Sequence, residues 1–282
     1  MTSPSTPPPS GTEKELVLCF DMDGTILDQH ERFYPQDVPI LHSPPPHVQL
    51  LLATGRSLPS VLLTCVKNGL IEAGQQLPFP VVCQNGGVNY LPGGVTLNMQ
   101  SIEPALVDEI IRQIDPYWEV TILFFLIEDI LAYRVTPYGE KALALYDLDP
   151  KPMPANLRDQ PVTKVMLISQ DPAPLASLYQ DGADLPLERT YSFDTILEFG
   201  PRGVHKAAGI ASLLDALGLS HLPLYVAGDG MNDLTMLKAA TRAFVPDTGS
   251  QPARQLAHVI LPVRQHGLLA PILADWQRDH RG

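Results

Sequence analysis

Residues 16–25 read LVLCFDMDGT, five apolar residues in succession followed by Asp21, Asp23 and a Gly-Thr pair. A short continuous apolar run is typical of a strand that is buried on both faces of a parallel sheet. Similar runs follow at residues 48–53, 80–83, 224–227, 243–245 and 258–261, and helical patterns at 58–66 and 206–217 separate several of them. Strands that alternate with helices predict an α/β fold with a Rossmann-like open parallel sheet.

The middle of the chain has a different pattern. It contains helix candidates at 104–114 and 173–179, strand candidates at 120–127 and 162–169, and proline-rich joints between them. We therefore predict that an α+β domain over residues 88–192 is inserted into a core domain formed by residues 15–87 and 193–282. Residues 1–14 contain four prolines, which interrupt regular hydrogen bonding, so we predict a disordered tail there.

The composition excludes several classes of protein. The 282 residues include 19 basic and 31 acidic ones, a net charge of −12, so a basic surface for nucleic acid is not expected. We find neither a signal-peptide pattern nor an apolar stretch approaching the ~20 residues of a membrane span. Cys19, Cys65 and Cys83 each lie in an apolar run, which predicts buried free thiols. We expect a cytoplasmic protein, either a monomer or a small homo-oligomer, without nucleic-acid or membrane partners.

Polar residues follow the buried strands at the edge where an open parallel sheet binds its ligands. They are Asp21 and Asp23 after the first strand, Thr54 and Gly55 after the second, and Asp229, Asn232 and Asp233 after a later one, with Lys206 at the start of a helix. Taken singly, each segment could be a turn, a helix cap or a solvated residue. Together they predict one site.

Four carboxylates there would repel one another without a cation, and oxygen ligands without a His/Cys cluster favour Mg²⁺ over zinc. Such a site suits phosphoryl transfer.

In their order along the chain, these segments resemble the four motifs of the haloacid dehalogenase (HAD) superfamily of phosphotransferases. The motifs are Asp21-Met22-Asp23-Gly24-Thr25, the turn at Thr54, Lys206, and the loop over residues 228–233. The turns at 53–56 and 84–87 are similar to those of the Cof-type, class IIB branch. The long interval between Thr54 and Lys206 leaves room for a cap domain, which is the class II arrangement.

The resemblance implies a Mg²⁺-dependent phosphatase that acts at the core–cap interface on a small phosphorylated metabolite, most often a sugar phosphate. Pyridoxal phosphate, flavin mononucleotide and phosphoglycerate-linked sugars are the other substrates it suggests. Asp21 would be the nucleophile that forms an aspartyl-phosphate, and Asp23 the general acid and base. The phosphoryl group would be held by Thr54, Gly55, Lys206 and Asn232. The metal would be bound by Asp21, the backbone carbonyl of Asp23, and Asp229, with Asp233 as a further ligand or a partner of the ligands.

Two alternatives stay open at this point: a phosphomutase of the same superfamily, and a catalytically inactive binding module on the HAD fold. In the cap, Lys164 and Arg134 are candidates for reading the substrate, although a solvated surface position is the preferred interpretation for each. The sequence also departs from the family pattern between the first two motifs. Five prolines between residues 35 and 46 predict that the usual helix there is short or absent.

Overall fold

The computed structural model describes residues 13–154 and 157–280. Apart from residues 13 and 14, the predicted tail lies outside this part of the chain. The described strands are β1 (Leu16–Phe20), β2 (Val48–Ala53), β3 (Val81–Cys83), β4 (Val88–Leu91), β5 (Val95–Met99), β6 (Thr121–Phe125), β7 (Ile130–Arg134), β8 (Lys151–Pro152), β9 (Lys164–Ile168), β10 (Leu187–Phe193), β11 (Ile196–Pro201), β12 (Leu224–Ala227), β13 (Arg242–Pro246) and β14 (Val259–Leu261).

The described helices are short to medium in length. They are α1 (Val38–His42), α2 (Leu58–Lys67), α3 (Pro104–Ile114), α4 (Pro137–Leu145), α5 (Pro172–Asp181), α6 (Lys206–Ala216), α7 (Leu234–Ala239), α8 (Gln251–Leu256), α9 (Val263–His266) and α10 (Leu269–His280). No helix within the described ranges combines the length and the apolar character that crossing a membrane requires.

The first sheet has the strand order β14-β13-β12-β1-β2-β3-β4-β5. Its strands are parallel from β14 to β3, and the β4–β5 hairpin adds an antiparallel edge. This confirms the predicted α/β fold. From β1 the chain moves to β2 on one side, and after the insertion it returns as β12 on the other side of β1. Because ligands bind where the strand order reverses, the residues that follow β1 and β12 are placed to form a site.

The second sheet has the order β10-β11-β9-β6-β7-β8 and is antiparallel except between β7 and β8. Helices α3 and α5 bury apolar side chains against one face of it, among them Val107, Ile110 and Leu175. Side chains of α4 pack against part of the opposite face, beside Leu123 and Phe125. The rest of that face turns toward the first sheet.

The predicted domain boundaries at residues 88 and 193 disagree with the sheets. Strands β4 and β5 pair with β3, so the chain leaves the first sheet only after Met99. Strand β11 pairs with β9, so the chain stays in the second sheet until Pro201. The reason is physical: the apolar pattern of a short strand indicates that it is buried, but not which neighbour supplies its hydrogen bonds. Pairing is decided by tertiary packing.

Most of the local predictions are confirmed. Helix α1 has only five residues, with Pro39 in its first turn, as the proline content between the first two motifs indicates. Helices α3 and α6 begin at the predicted residues, Pro104 and Lys206. The cysteines are buried free thiols.

Candidate active site

Asp21 and Lys206 form the buried centre of the site. Asp21 directly follows β1 and is 5% exposed, while Lys206 is the first residue of α6 and is fully buried. The Lys206 ammonium donates to Asp21 Oδ1 at 2.5 Å and to Asp233 Oδ1 at 2.6 Å. Burial alone would lower the pKa of Lys206, but the two carboxylates raise it above its ordinary value. Lys206 therefore stays charged and holds Asp21 in place.

A third carboxylate, that of Asp229, lies close to the two that bind this ammonium. Asp21, Asp229 and Asp233 each present an oxygen, and the three oxygens lie within 4.8 Å of one another. Burial and the charge of Asp233 raise the pKa of Asp21, and the same causes raise the pKa of Asp229 to about 7. One ammonium cannot balance three carboxylates, so the cluster has the charge and the oxygen donors that a divalent cation requires.

We expect that replacing Lys206 with Met destabilises the protein by about 3 kcal/mol, because Asp21 and Asp233 would remain buried without their cationic partner. Urea unfolding at pH 7 without added metal measures this change. Lys238→Met, at an exposed position of α7, is the matched control and should change the free energy of unfolding by less than about 0.5 kcal/mol. Equal stability of the two variants would show that the buried ammonium contributes little to the fold.

Asp233 also shapes the loop over residues 228–233. Its Oδ2 accepts the backbone N–H groups of Asp229 and Gly230, each at 2.8 Å, while its Oδ1 accepts from Lys206. Asp233 therefore both caps the turn and contributes a charge to the site, so the two interpretations of this segment are compatible. Because its Oδ2 accepts the backbone N–H of Asp229, Asp233 fixes the position of Asp229 within the cluster.

Gly24 brings the first loop against the loop after β12. Its backbone has a φ of +73°, which disfavours other residues. A Cβ atom at this position would lie 2.5 Å from Asp229 Oδ2. The neighbouring Thr25 hydroxyl donates to Asp229 Oδ1 at 2.9 Å. The glycine and the hydroxyl together hold Asp229 next to the loop that carries Asp21 and Asp23.

Asp23 does not join the carboxylate cluster, which corrects the expectation of four carboxylates together. Arg56 binds it through two hydrogen bonds, from Nε to Oδ2 at 2.9 Å and from Nη2 to Oδ1 at 2.5 Å. Glu31 accepts from the same guanidinium at 2.5 Å. The sequence motifs did not reveal a role for Arg56 or Glu31. The position of Arg56, next to the Thr54-Gly55 turn, was the available signal for it.

The remaining predicted residues lie at the loops after β2 and β12. Thr54 is fully buried, and its Oγ1 accepts the backbone N–H of Arg56 at 3.1 Å. Asn232 donates through Nδ2 to Asn85 Oδ1 at 3.2 Å. Gly55 and Asn232 line one cavity together with Asp21, Asp23 and Asp229, whereas Thr54 and Lys206 lie beneath its surface.

This cavity is formed by both sheets. Its volume is about 100 Å³. The loops of the first sheet supply its charged floor, and residues of the second sheet, including Phe125, Met166 and Ile196, cover it. The predicted location between core and cap therefore coincides with an actual cavity.

The two cap residues that were candidates for substrate recognition, Lys164 and Arg134, have different environments in the structure. Lys164 is 2% exposed, so its interpretation as a solvated surface residue is wrong. Its ammonium donates to Glu198 Oε1 at 2.5 Å and to the Gly55 carbonyl oxygen at 2.8 Å, across the gap between the sheets. Arg134 instead donates to the Tyr117 carbonyl at 2.6 Å and lies outside the residues that line the cavity.

A sequence profile of the haloacid dehalogenase-like hydrolases matches residues 18–270. The chain belongs to this family. The match spans both sheets and all four motifs, and it confirms the predicted family and the prediction of an enzyme with hydrolase activity.

This haloacid dehalogenase-like hydrolase is similar at low identity to several named proteins. It is 24% identical over 265 residues to the phosphoglycolate phosphatase of Natronomonas pharaonis, covering 94% of this chain and 98% of the relative. It is 24% identical over 239 residues to the HMP-PP phosphatase of Citrobacter koseri, covering 81% and 83% of the two chains. Identity to the glucosylglycerol-phosphate synthase of Pseudomonas anguilliseptica is 26% over 225 residues, 79% of this chain but only 25% of that much longer relative.

Solved structures show the same fold. A sugar phosphatase of HAD subclass IIB superposes with a TM-score of 0.76 at 16% identity, covering 93% of this chain and 98% of that protein. A Thermotoga maritima protein superposes with a TM-score of 0.72 at 22% identity, covering 88% and 91%. The arrangement of core and cap in this hydrolase is thus the one found in the subclass IIB neighbour.

Proposed function

We propose that this hydrolase is a Mg²⁺-dependent phosphatase that cleaves a small phosphomonoester through an aspartyl-phosphate on Asp21. One observation carries the proposal: a buried carboxylate at the end of β1 is held by Lys206 on the floor of a cavity that Asp23 and Asp229 also line. Lys206 binds Oδ1 of Asp21, which orients the carboxylate for attack on phosphorus. The phosphatase names of two relatives support the same reaction class.

Asp23 is the group we assign to proton transfer. Its side chain is 34% exposed, lines the cavity and is oriented by the bidentate contact with Arg56. In the first step Asp23 would protonate the leaving alcohol as the bond to phosphorus breaks. In the second step it would take a proton from the water that attacks the aspartyl-phosphate. Arg56 keeps the carboxylate at one position for both steps.

The phosphoryl oxygens need donors that lie on the same floor. Gly55 and Asn232 line the cavity, and we assign to them the binding of these oxygens. The Thr54 hydroxyl accepts a hydrogen bond from the backbone of Arg56 and keeps its own proton to donate. Lys206 balances the charge from below. These assignments agree with the roles that the family resemblance implies.

The cluster of Asp21, Asp229 and Asp233 fits a divalent metal ion. The donors are carboxylate oxygens, and burial together with the charge of Asp233 raises the pKa of both Asp21 and Asp229, so a bound cation would favour their ionised forms. We assign the metal contacts to Asp21, Asp229 and the backbone carbonyl of Asp23, with Asp233 positioning Asp229. When bound, Mg²⁺ would neutralise charge on the carboxylates and on the phosphoryl oxygens.

We expect phosphate release to disappear in excess EDTA and to return when Mg²⁺ is added back. Mg²⁺ should also raise the melting temperature of the folded protein, because it binds the native state alone. Asp229→Asn should increase the Mg²⁺ concentration needed for both effects by about tenfold or more. Asp215→Asn, at an exposed position of α6, is the control and should respond to Mg²⁺ like the parent. Activity that survives exhaustive chelation would contradict the metal assignment.

Two alternatives make different predictions. A phosphomutase would return the phosphoryl group to a sugar and liberate little free phosphate. An inactive module would bind phosphate esters without turnover. The presence of Asp21, Asp23 and Lys206 in one connected site favours an active enzyme. A screen of phosphate release over a few dozen phosphomonoesters separates these outcomes, and sugar phosphates belong in it because the resemblance suggests them.

A further inference from the structure

Two buried charges of the cap sheet lie against the loops of the first sheet. Lys164 is the first residue of β9, Glu198 lies in β11, and both side chains are buried. The Lys164 ammonium donates to Glu198 Oε1 at 2.5 Å and lies 4.2 Å from the centre of the Phe125 ring. An ammonium donates hydrogen bonds and accepts none, so Glu198 Oε1 must be an acceptor.

Two amide groups connect Glu198 to the floor of the cavity. Glu198 Oε2 accepts from Asn85 Nδ2 at 2.7 Å, and Asn85 Oδ1 accepts from Asn232 Nδ2 at 3.2 Å. An amide group can turn end for end, so its neighbours decide which atom it presents. Because Glu198 accepts, Asn85 must turn its oxygen to Asn232, and Asn232 retains a second N–H. We call the series Lys164–Glu198–Asn85–Asn232 the amide relay.

The backbone of the turn after β3 also depends on the cap sheet. Gln84 and Asn85 have φ values of +51° and +56°, in the left-handed region that most residues avoid. Gln84 donates to the Leu126 carbonyl at 2.8 Å, and its Oε1 accepts from the Thr163 hydroxyl. An unfavourable backbone of this kind persists where the surrounding structure holds it. The cap sheet therefore sets the position of Asn85 as well as the orientation of its amide.

Gly55 packs against the same two amides. A Cβ atom at this position would lie 3.2 Å from Asn85 Oδ1 and 3.7 Å from Asn232 Nδ2. The Gly55 carbonyl accepts from Lys164 at 2.8 Å, so one ammonium holds both this turn and Glu198. Gly55 and Asn232, the two cavity-lining residues that we assign to the phosphoryl oxygens, are therefore both connected to the buried ion pair.

We propose that Glu198 is a positioning residue that sets the polarity of the Asn85 and Asn232 amides, so that an N–H rather than a carbonyl oxygen faces the phosphoryl group. This inference rests on the proposed phosphatase function. Phosphoryl oxygens carry negative charge and need donors, so a carbonyl oxygen at the same place would repel them. Lys164 completes the arrangement, because it leaves Glu198 Oε2 to accept from Asn85.

Glu198→Gln tests the polarity at nearly constant size. Glutamine has one acceptor oxygen, which Lys164 requires, so its Nε2 would face Asn85 and both asparagine amides would have to turn. Loss of one donor to a charged oxygen commonly costs ~10²–10³-fold in kcat, and other donors remain, so we expect kcat/KM for p-nitrophenyl phosphate to fall by about tenfold or more. The inhibition constant of inorganic phosphate should rise in parallel. Both are measured with Mg²⁺.

An exchange of the two groups should restore the activity. When Glu198→Gln is combined with Asn85→Asp, the amide at position 198 donates to the carboxylate at position 85, and that carboxylate again accepts from Asn232. The net charge equals that of the parent, and aspartate tolerates the left-handed backbone better than most residues. We expect the double variant to recover most of the lost kcat/KM. A folded double variant as slow as Glu198→Gln would overturn the inference.

Two further variants distinguish positioning from general stabilisation. If Glu198 acts through Asn232, adding Glu198→Gln to Asn232→Ala should cause no further loss of kcat/KM, whereas independent effects would multiply. Asn85→Gly breaks the relay but leaves the Lys164–Glu198 pair in place, and glycine suits the positive φ. It should be slower than the parent, and it keeps the test decisive if Glu198→Gln does not fold.

Asn98→Ala is the matched control. Asn98 accepts from Asn89 and donates to Ser212, each at 2.7 Å, in a second amide chain that does not line the cavity. This variant should keep the parental kcat/KM. Parental activity in both Glu198→Gln and Asn85→Gly, or a multiplied loss with Asn232→Ala, would overturn the inference and leave the phosphatase proposal intact. A parent that hydrolyses neither p-nitrophenyl phosphate nor acetyl phosphate would overturn both.

Discussion

An Asp21→Asn protein should fold and yet release no phosphate. The amide cannot attack phosphorus, so we expect kcat to fall by at least about 10³-fold. The change should not destabilise the metal-free protein. Burial and the charge of Asp233 raise the pKa of Asp21, which means that the ionised carboxylate is less favourable in the folded than in the unfolded chain at neutral pH. An uncharged side chain of the same shape removes this unfavourable contribution.

Two measurements on the same preparations check this prediction. Initial rates of phosphate release from p-nitrophenyl phosphate with Mg²⁺ report on the nucleophile, and urea unfolding without metal reports on the fold. Asp215→Asn on α6 provides a matched exposed control and should keep both properties of the parent. If Asp21→Asn retained more than a tenth of the parental kcat, Asp21 would not be the nucleophile. If the variant unfolded instead, the Asp21 carboxylate would stabilise the metal-free fold, contrary to this expectation.

An Asp23→Asn protein should separate the two halves of the reaction. It keeps the nucleophile and the backbone carbonyl of residue 23 but loses proton transfer, which is commonly worth ~10²–10⁴-fold in rate. With an alkyl phosphate, both the departure of the alcohol and the attack of water need Asp23. With p-nitrophenyl phosphate, the first step needs no acid, whereas the second still needs a base. The aspartyl-phosphate should then accumulate.

Rapid-quench kinetics detects that accumulation. The Asp23→Asn protein should release a burst of about one p-nitrophenol per active site before a slow phase, and the protein-bound phosphate should match the burst. If Asp23 only shaped the turn, the loss of rate would be equal for every leaving group, without a burst. A slow, burst-free time course would therefore count against the acid–base role. Arg56 also contacts Glu31 in the parent protein, and we expect this contact to hold Arg56 in place in the variant.

The sequence predicted much of the site because its chemistry is concentrated at strand ends. Continuous apolar runs indicated which strands are buried, and the polar residues directly after them had to meet at one edge of a parallel sheet. Asp21, Asp229, Asp233 and Lys206 do come together there. Motif spacing also placed the large insertion between Thr54 and Lys206, where the second sheet is found.

The same reasoning missed partners that lie far apart in the chain. Asp23 pairs with Arg56 rather than with the other carboxylates, and Lys164 pairs with Glu198 in the gap between the sheets. Glu198 lies among buried apolar residues of β11, a pattern that could have indicated a buried carboxylate with a cationic partner but was not used for this purpose. Nothing in the local pattern identified Lys164 as that cation, because β9 and β11 become neighbours only when the cap sheet forms.

The sequence alone determined the order of buried strands and the chemical groups that follow them, because both depend on residues close together in the chain. It could not determine the domain boundaries, because the sequences of strands such as β4 and β11 do not indicate which sheet each strand joins. The sequence also could not predict which apolar side chains line the cavity. Phe125, Tyr146 and Phe193 belong to three separate segments, and only the packing of the cap sheet over the core brings them to one cavity above Asp23. Tertiary structure decided that environment, because hydrophobic packing and long-range strand pairing depend on the whole fold.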